Sequence, residues 1–302
     1  IYIFQLILKK ALELTASISG SLHLYDPDLH DMHIAAEYGV SEEKKSRRQK
    51  LGQGIVGYVA VQQQLSNVAD VSQPPWSELY IEFSPGICSE LAVPMLEGNK
   101  LRGVLNIESV EVDHFSERDE WLLKGLADLA VVALQSMERY KKASREAQQT
   151  EMLYRAGREL AKITYWEELE QAYDIILHIA EEHSPCQVVI RRYDDYSRAL
   201  LLLRATSYQH TPPFQRMDLD EGLNGKVARE RRTIVVYDTH NPPSEVALNL
   251  SDATIRSLII TPIQFKDRYY GNFALAHRDA SYFRGSETGF FEGLADQLAS
   301  TI

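Results

Sequence analysis

Apolar and polar positions change period along this chain, and the changes mark out its elements. The opening apolar run, Ile1 to Leu8, is broken by Gln5 and followed by Lys9 and Lys10, so residues 1–17 read as an amphipathic helix. Residues 21–25 alternate and predict a strand. Asp26-Pro27-Asp28 is a turn, and residues 31–37 are the returning strand of a hairpin. Residues 52–62 join a glycine loop to a short helix. Residues 89–95 and 102–109 predict two further strands around the turn Glu97-Gly98-Asn99-Lys100. Ser116, with Asp119 three residues on, has capping-box spacing. The helix it opens is predicted to run past Leu160, on the order of 65 Å at 1.5 Å per residue. The order then returns: a hairpin at 187–193 and 199–205 around Asp194-Asp195, a glycine-plus-helix element at 222–229, strands at 257–263 and 271–277, and a closing helix at 285–302. Strands joined by such short turns are antiparallel, because parallel neighbours need long crossovers.

The second half repeats the first without a gap. Gly54 returns as Gly222 and Gly57 as Gly225, an offset of 168 residues (222 − 54). At the same offset Tyr25-Asp26 meets Tyr193-Asp194, Asp70 meets Asp238 and Pro74-Pro75 meets Pro242-Pro243. Ser89 meets Ser257, Pro94 meets Pro262, Gly103 meets Gly271, Phe115 meets Phe283, and Gly125-Leu126-Ala127-Asp128 meets Gly293-Leu294-Ala295-Asp296. Most shared residues are glycines, prolines and turn or cap positions, which set backbone geometry rather than chemistry. One fold is built twice, each copy is domain-sized, and the period is too long for a solenoid. The polar residues have diverged, which predicts two related pockets rather than one active site.

Composition narrows the function. The 302 residues are 44% hydrophobic and 25% charged, ordinary for two soluble domains. Forty-three acidic residues against 32 basic give a net charge of −11. That argues against a nucleic-acid surface, which needs clustered Lys and Arg. The dense basic run Lys44-Lys45-Ser46-Arg47-Arg48-Gln49-Lys50 and the segment Arg229-Glu230-Arg231-Arg232 read as solvated loops. The two cysteines, Cys88 and Cys186, do not correspond at the offset and form no metal-ligand or disulfide pattern. The expected location is cytoplasmic. No apolar run is long enough to span a membrane. The absence of an initiator Met and the stop inside an apolar helix suggest a fragment of a longer protein.

Taken together, these segments resemble the GAF domain, a small-molecule sensor module of signalling proteins. In the first copy they are Gly52-Gln-Gly-Ile-Val-Gly57, Ser89-Glu-Leu-Ala-Val-Pro-Met95, Gly103-Val-Leu-Asn-Ile-Glu-Ser109, Phe115-Ser-Glu-Arg-Asp119 and Leu126-Ala-Asp128. The second copy carries Gly222 to Val227, Ser257-Leu-Ile-Ile-Thr-Pro-Ile263, Gly271-Asn-Phe-Ala-Leu-Ala276, Phe283 and Leu294-Ala-Asp296. The resemblance implies an α+β fold: two GAF-like domains, each a central antiparallel sheet flanked by helices, joined by a long helix. The expected division is residues 1–134, a connecting segment 135–167, and residues 168–302. It also implies an output domain such as a histidine kinase or diguanylate cyclase, of which this sequence carries no motif.

Asn106 and Glu108 lie two apart on a predicted strand and share a face, with Leu105 and Ile107 on the other. They and Glu90 match positions that line the pocket of GAF-type reductases of free methionine sulfoxide. Two carboxylates in a concave site favour a cationic or amino-bearing ligand; on a solvated sheet edge they would bind nothing. The candidate ligand-binding set is Glu90, Asn106, Glu108, Asp70 and Tyr58. The places of the first three are taken in the second copy by Leu258, Ala274 and Ala276, an apolar or closed pocket.

Catalytic and metal-binding residues are expected to be absent. The reductases carry their cysteine near the position of Phe83, so Cys88 reads as a small buried residue, and a bilin-type Cys-His pair is missing. Asn99-Lys100, Phe115 and Asp119-Glu120 echo a cyclic-nucleotide signature, but Asn99-Lys100 falls in the hairpin turn instead of after Glu108-Ser109. No histidine spacing suggests a metal site. The joining helix carries a seven-residue line, Ala133, Tyr140, Ala147, Tyr154 and Ala161, that predicts a parallel homodimer seam. The reading is a non-enzymatic sensory module with an unidentified small-molecule ligand. The alternatives are a dimerisation scaffold and a thiol reductase.

Overall fold

A computed structural model of the chain describes residues 2–39, 48–82, 84–165, 168–184, 186–206, 215–220, 222–242 and 254–302. Contacts divide it into two units, Ile1–Lys141 and Lys142–Ile302. The first unit holds α1 (Tyr2–Thr15), β1 (Ser19–Asp26), β2 (Asp31–Tyr38), β3 (Arg48–Lys50), α2 (Gly54–Gln62), β4 (Ser66–Val68), α3 (Trp76–Leu79), β5 (Ser89–Glu97) and β6 (Lys100–Ser109). Helix α4 (Glu117–Leu160) starts in the first unit and ends in the second. There follow α5 (Leu169–His183), β7 (Gln187–Asp194), β8 (Ala199–Ala205), β9 (Arg216–Asp218), α6 (Gly222–Glu230), β10 (Ile234–Val236), β11 (Ser257–Phe265), β12 (Arg268–His277) and α7 (Ser286–Thr301).

Each unit is built on a six-stranded antiparallel sheet. The orders are β3-β2-β1-β6-β5-β4 and β10-β11-β12-β7-β8-β9, the same topology read from opposite edges. The offset of 168 holds to the residue: β1 at 19–26 becomes β7 at 187–194, and α2 at 54–62 becomes α6 at 222–230. Irregularities repeat as well. Register breaks fall at Leu22/His23 and at Ile190/Arg191. Gln63 and Arg231 both take left-handed backbone, with φ of 54°. Gly103 and Gly271 are required by close approach, since a Cβ there would collide with the carbonyl oxygens of His23 and Arg191 on the neighbouring strand. The two copies therefore share a backbone down to its bulges.

In the first unit the alternation of β5 and β6 separates two layers. Leu91, Val93, Met95, Leu105 and Ile107 meet α1 and the first part of α4. Ala92 and Val104 face the opposite way and pack under α2 with Met32, Ile55 and Val59. The second unit repeats this. Phe273, Leu275 and Ile259 pack with α5, α7 and the last part of α4, while Leu258 and Ile260 pack under α6. No helix among the described residues is long and apolar enough to cross a membrane.

Two sequence expectations change. The basic run is not all loop: Arg48–Lys50 forms β3, pairing with Asp31, Met32 and His33, and Arg48 bonds both Asp26 and Asp31. Residues 44–47 of that run lie outside the described residues, as do Phe83 and Pro243. In the segment 229–232, α6 runs to Glu230, so Arg229 and Glu230 are helical. The seven-residue line on α4 starts at a buried position and is exposed from Tyr140 to Ala161. Ala133 is buried in the core of the first unit, whereas Tyr140 and Tyr154 are exposed.

Candidate functional site

The site-bearing face of the first sheet is polar where three strands meet. Glu90 of β5 stands directly opposite Glu108 of β6, and Glu108 in turn opposes Ser19 of β1. One row along, Asn106 lies between Ala92 and Ser21. Glu90, Asn106 and Glu108 are 4, 4 and 2% exposed, so the solvated-edge alternative does not hold. Leu105 and Ile107 face the helices, as alternation requires.

Burial on this scale demands hydrogen bonds, and most are present. Ser19 Oγ donates to Glu108 Oε2 at 2.5 Å, and Asn106 Nδ2 donates to Glu90 Oε1 at 3.3 Å. Ser21 Oγ donates to Asn106 Oδ1 at 2.5 Å and lies 2.7 Å from His23 Nε2. The single Ser21 hydroxyl proton is committed to Asn106, so His23 donates through Nε2–H and its Nδ1 is a bare acceptor. Burial, then the nearby His33, holds His23 down to about 4. Burial and the charge of Glu108 push Glu90 well above the ordinary carboxylate range, against the pull of the Asn106 bond. Burial and mutual repulsion thus favour a shared proton on the facing pair. Burial, followed by the charges of Glu108 and Glu90, also raises the Tyr80 hydroxyl.

Between this network and α2 is a cavity of about 10 Å³. Its walls are Ser21, His23, Glu90 and Asn106 from the sheet, with Gln49 and Ile81 from the covering segments. That is room for about one water. His23 Nδ1, Gln49 Oε1 and the Tyr80 hydroxyl are buried without a hydrogen-bond partner among the described residues. A larger guest requires the cover to move. Two sequence candidates are elsewhere. Asp70 caps its own turn, accepting from Ser72 N at 2.8 Å and Ser72 Oγ at 2.6 Å. Tyr58 packs edge-on against Trp76, with centroids 5.3 Å apart. Ser19, Ser21, His23 and Gln49 were not singled out from the sequence, although the polar alternation Ser19-x-Ser21-x-His23 in a strand was a usable signal.

Cys88 is half-buried, with Sγ 3.7 Å from the Gly86 carbonyl. Asn99 turns the β5–β6 hairpin, with Glu97 paired to Lys100, so the Asn-Lys pair is remote from the cavity. Among the described residues no group of three or more His, Cys, Asp or Glu could hold a metal ion. In the second unit Leu258, Ala274 and Ala276 join Leu223, Val227 and Ile260 in an apolar cluster.

The sequence profile of the GAF domain matches residues 3–135 and again residues 167–302. The chain belongs to the GAF family. About half of the chain is similar in fold to solved structures of low identity. One is the GAF domain of an Acinetobacter phosphoenolpyruvate-protein phosphotransferase, 20% identical over 45% of this chain and 82% of that one, with a TM-score of 0.42. Another is the free methionine-R-sulfoxide reductase of Neisseria meningitidis, solved with its substrate (21%, 45% and 78%, TM-score 0.41). A third is the second GAF domain of DevS from Mycobacterium smegmatis (17%, 47% and 97%, TM-score 0.40). No curated protein matches the chain.

Proposed function

We propose that the chain is a tandem GAF sensory module. Its first domain binds a small cationic or amino-bearing molecule and relays occupancy through α4 to an output domain outside this sequence. The observation that carries the reading is the buried, facing pair Glu90 and Glu108, set among acceptors that lack donors. A carboxyl pair at such burial is costly unless something supplies donors or positive charge. The packing of β6 supports the relay. Asn106 and Glu108 line one face of that strand, while Leu105 and Ile107 on the other pack with Leu123 and Ala127 of α4. Signalling then requires a ligand that binds two arrangements of this strand and helix unequally. Native mass spectrometry of the purified chain is expected to show a retained small molecule that is lost in Glu108→Gln. A retained mass indifferent to Glu108→Gln and Glu90→Gln would remove these residues from the site. Binding, not thiol chemistry, is the assigned role, so incubation with free methionine sulfoxide is expected to give no reduction. Turnover lost in Cys88→Ser would reverse that assignment.

The proposal includes a homodimer, with a seam revised from the seven-residue line. On the first domain α4 exposes Trp121, Leu129, Val132 and Tyr140 at 75, 52, 55 and 76%. Trp121 and Val132, and likewise Leu129 and Tyr140, are spaced by the eleven residues that track one face of a nearly straight helix. Two copies paired on this face would cover four aromatic rings, on the order of 600–1,000 Å². Leu129 and Val132 bring the area toward the ~1,200 Å² of a stable interface. A second copy matches the period by construction. Sedimentation is expected to show a dimer that Val132→Asp weakens, and a monomeric unaltered chain would refute the seam.

A further inference from the structure

We propose that the second GAF domain binds a small zwitterion, a molecule carrying both a carboxylate and an ammonium group, in a cavity at one end of its sheet. The cavity is about 380 Å³, in the range of small-molecule sites. It opens where β12 ends at His277 and Arg278 follows, where β7 begins at Gln187, and beside Glu181 in the last turn of α5. This is not the place of the first-domain site. Ala276 is the one residue in its wall that occupies the position of a first-domain candidate, Glu108.

Divergence between the copies explains the space. At the offset of 168, Ala276 replaces Glu108 and Thr206 replaces Tyr38. In the first domain Ser19 and Glu108 fill the equivalent spot with a mutual hydrogen bond. In the second, Gln187 and Ala276 are the paired residues, and the large acid is gone.

The wall carries complementary charges without partners of their own among the described residues. Arg278 stands where the first domain has Val110 and makes no ion pair among the described residues. Glu181 corresponds to Glu13, which is bonded to Lys10 in the first domain; Glu181 has no such partner among the described residues. Gln187 Oε1 is buried with no donor among the described residues. A guanidinium takes a carboxylate through paired N–H donors. A free carboxylate and an orphan amide oxygen on the same wall take an ammonium. His277 is fixed for a donor role: Nδ1 accepts the Asp279 N–H at 3.0 Å, leaving the proton on Nε2, and the ring stacks on Tyr282 at 3.7 Å. Cys186 and Ile255 make the wall apolar between these groups. Burial pushes the Cys186 thiol up to about 11, so it stays protonated and contributes no competing charge.

The test uses the full chain and three probes: L-norleucine, hexanoate, which lacks its ammonium, and n-pentylamine, which lacks its carboxylate. Calorimetric titration is expected to show norleucine binding at least about tenfold more tightly than either analogue, the loss of one charged contact. Arg278→Ala should erase the advantage over pentylamine, Glu181→Gln the advantage over hexanoate, and Ala276→Leu should block all three by filling the cavity. Arg278 and Glu181 are exposed, so their variants test the contacts without touching the core. Equal binding of the three probes, or norleucine binding that survives Arg278→Ala, overturns the proposal. So does failure of norleucine and all twenty standard amino acids to bind. Norleucine binding lost in Glu108→Gln but kept in Arg278→Ala would put the zwitterion in the first domain, which refutes this site and supports the other.

Discussion

Replacing Glu287 by alanine is expected to cost the second GAF domain about 3–5 kcal/mol. Glu287 stands in the first turn of α7 and is 1% exposed. Its Oε1 accepts from Arg145 and from Gln149 Nε2 on α4, and its Oε2 lies 2.8 Å from His183 Nε2 at the end of α5. His183 is itself buried against Phe290, with ring centroids 4.1 Å apart. One carboxylate thus ties three helices together. Burial works against its charge, but His183 and Arg145 outweigh that and hold it below the ordinary range. The linkage sign follows: the stabilisation is present above the unfolded carboxyl pKa and fades as pH falls through the lowered folded value. Alanine leaves His183 and Gln149 buried without an acceptor, whereas Glu287→Gln keeps volume and one oxygen and should cost distinctly less. Hydrogen exchange resolved by peptide is the measurement. Faster exchange in α7 and α5, with the first domain unchanged, is expected; equal losses for Ala and Gln would mean that volume, not charge, holds the helices.

Glu287 also marks where sequence reading stops. The first copy has Asp119 at this position, and its capping role was legible because Ser116 is three residues away. The second copy puts Arg284 where Ser116 stood, so no box exists, and the partners of Glu287 lie 104 and 142 residues distant. Distance in sequence separates what was seen from what was missed elsewhere too. The shared face of Asn106 and Glu108 follows from strand alternation alone. Their bonds to Ser21 and Ser19 needed the β1–β6 pairing, which joins residues 85 and 89 apart. The fold was legible through the repeat because Gly103 and Gly271 sit where a neighbouring strand leaves no room for a side chain. Three-residue strands such as β3 and β4 are too short to show a period, and β3 was hidden inside a basic run.

Acidification from pH 7 to 4 is expected to remove about 3 kcal/mol of first-domain stability through His23 alone. A folded value of about 4 against 6.5 when unfolded sets that size. The cause is burial first and the neighbouring His33 second. A histidine whose folded value is depressed stabilises fully above its unfolded pKa, and the contribution is lost as pH falls through 6.5 toward 4. Protonation at Nδ1 would place charge on an atom that has no partner, at the end of the chain running through Ser21 and Asn106 to Glu90. Glu90 acts in the opposite sense. Its raised folded value favours the protonated carboxyl, so its contribution is complete in acid and is lost as pH rises through that value. One network therefore bounds stability from both sides, and separate variants divide the two arms. His23→Gln keeps a donor for Ser21 and should flatten the loss between pH 6.5 and 4. Glu90→Gln should leave the acid arm intact and raise the melting temperature increasingly toward alkaline pH. Urea midpoints across this range, read from first-domain amides, decide the matter. If His23→Gln follows the unaltered chain from pH 6.5 to 4.5, His23 is not the group that titrates, and the tautomer assigned from Ser21 fails with it.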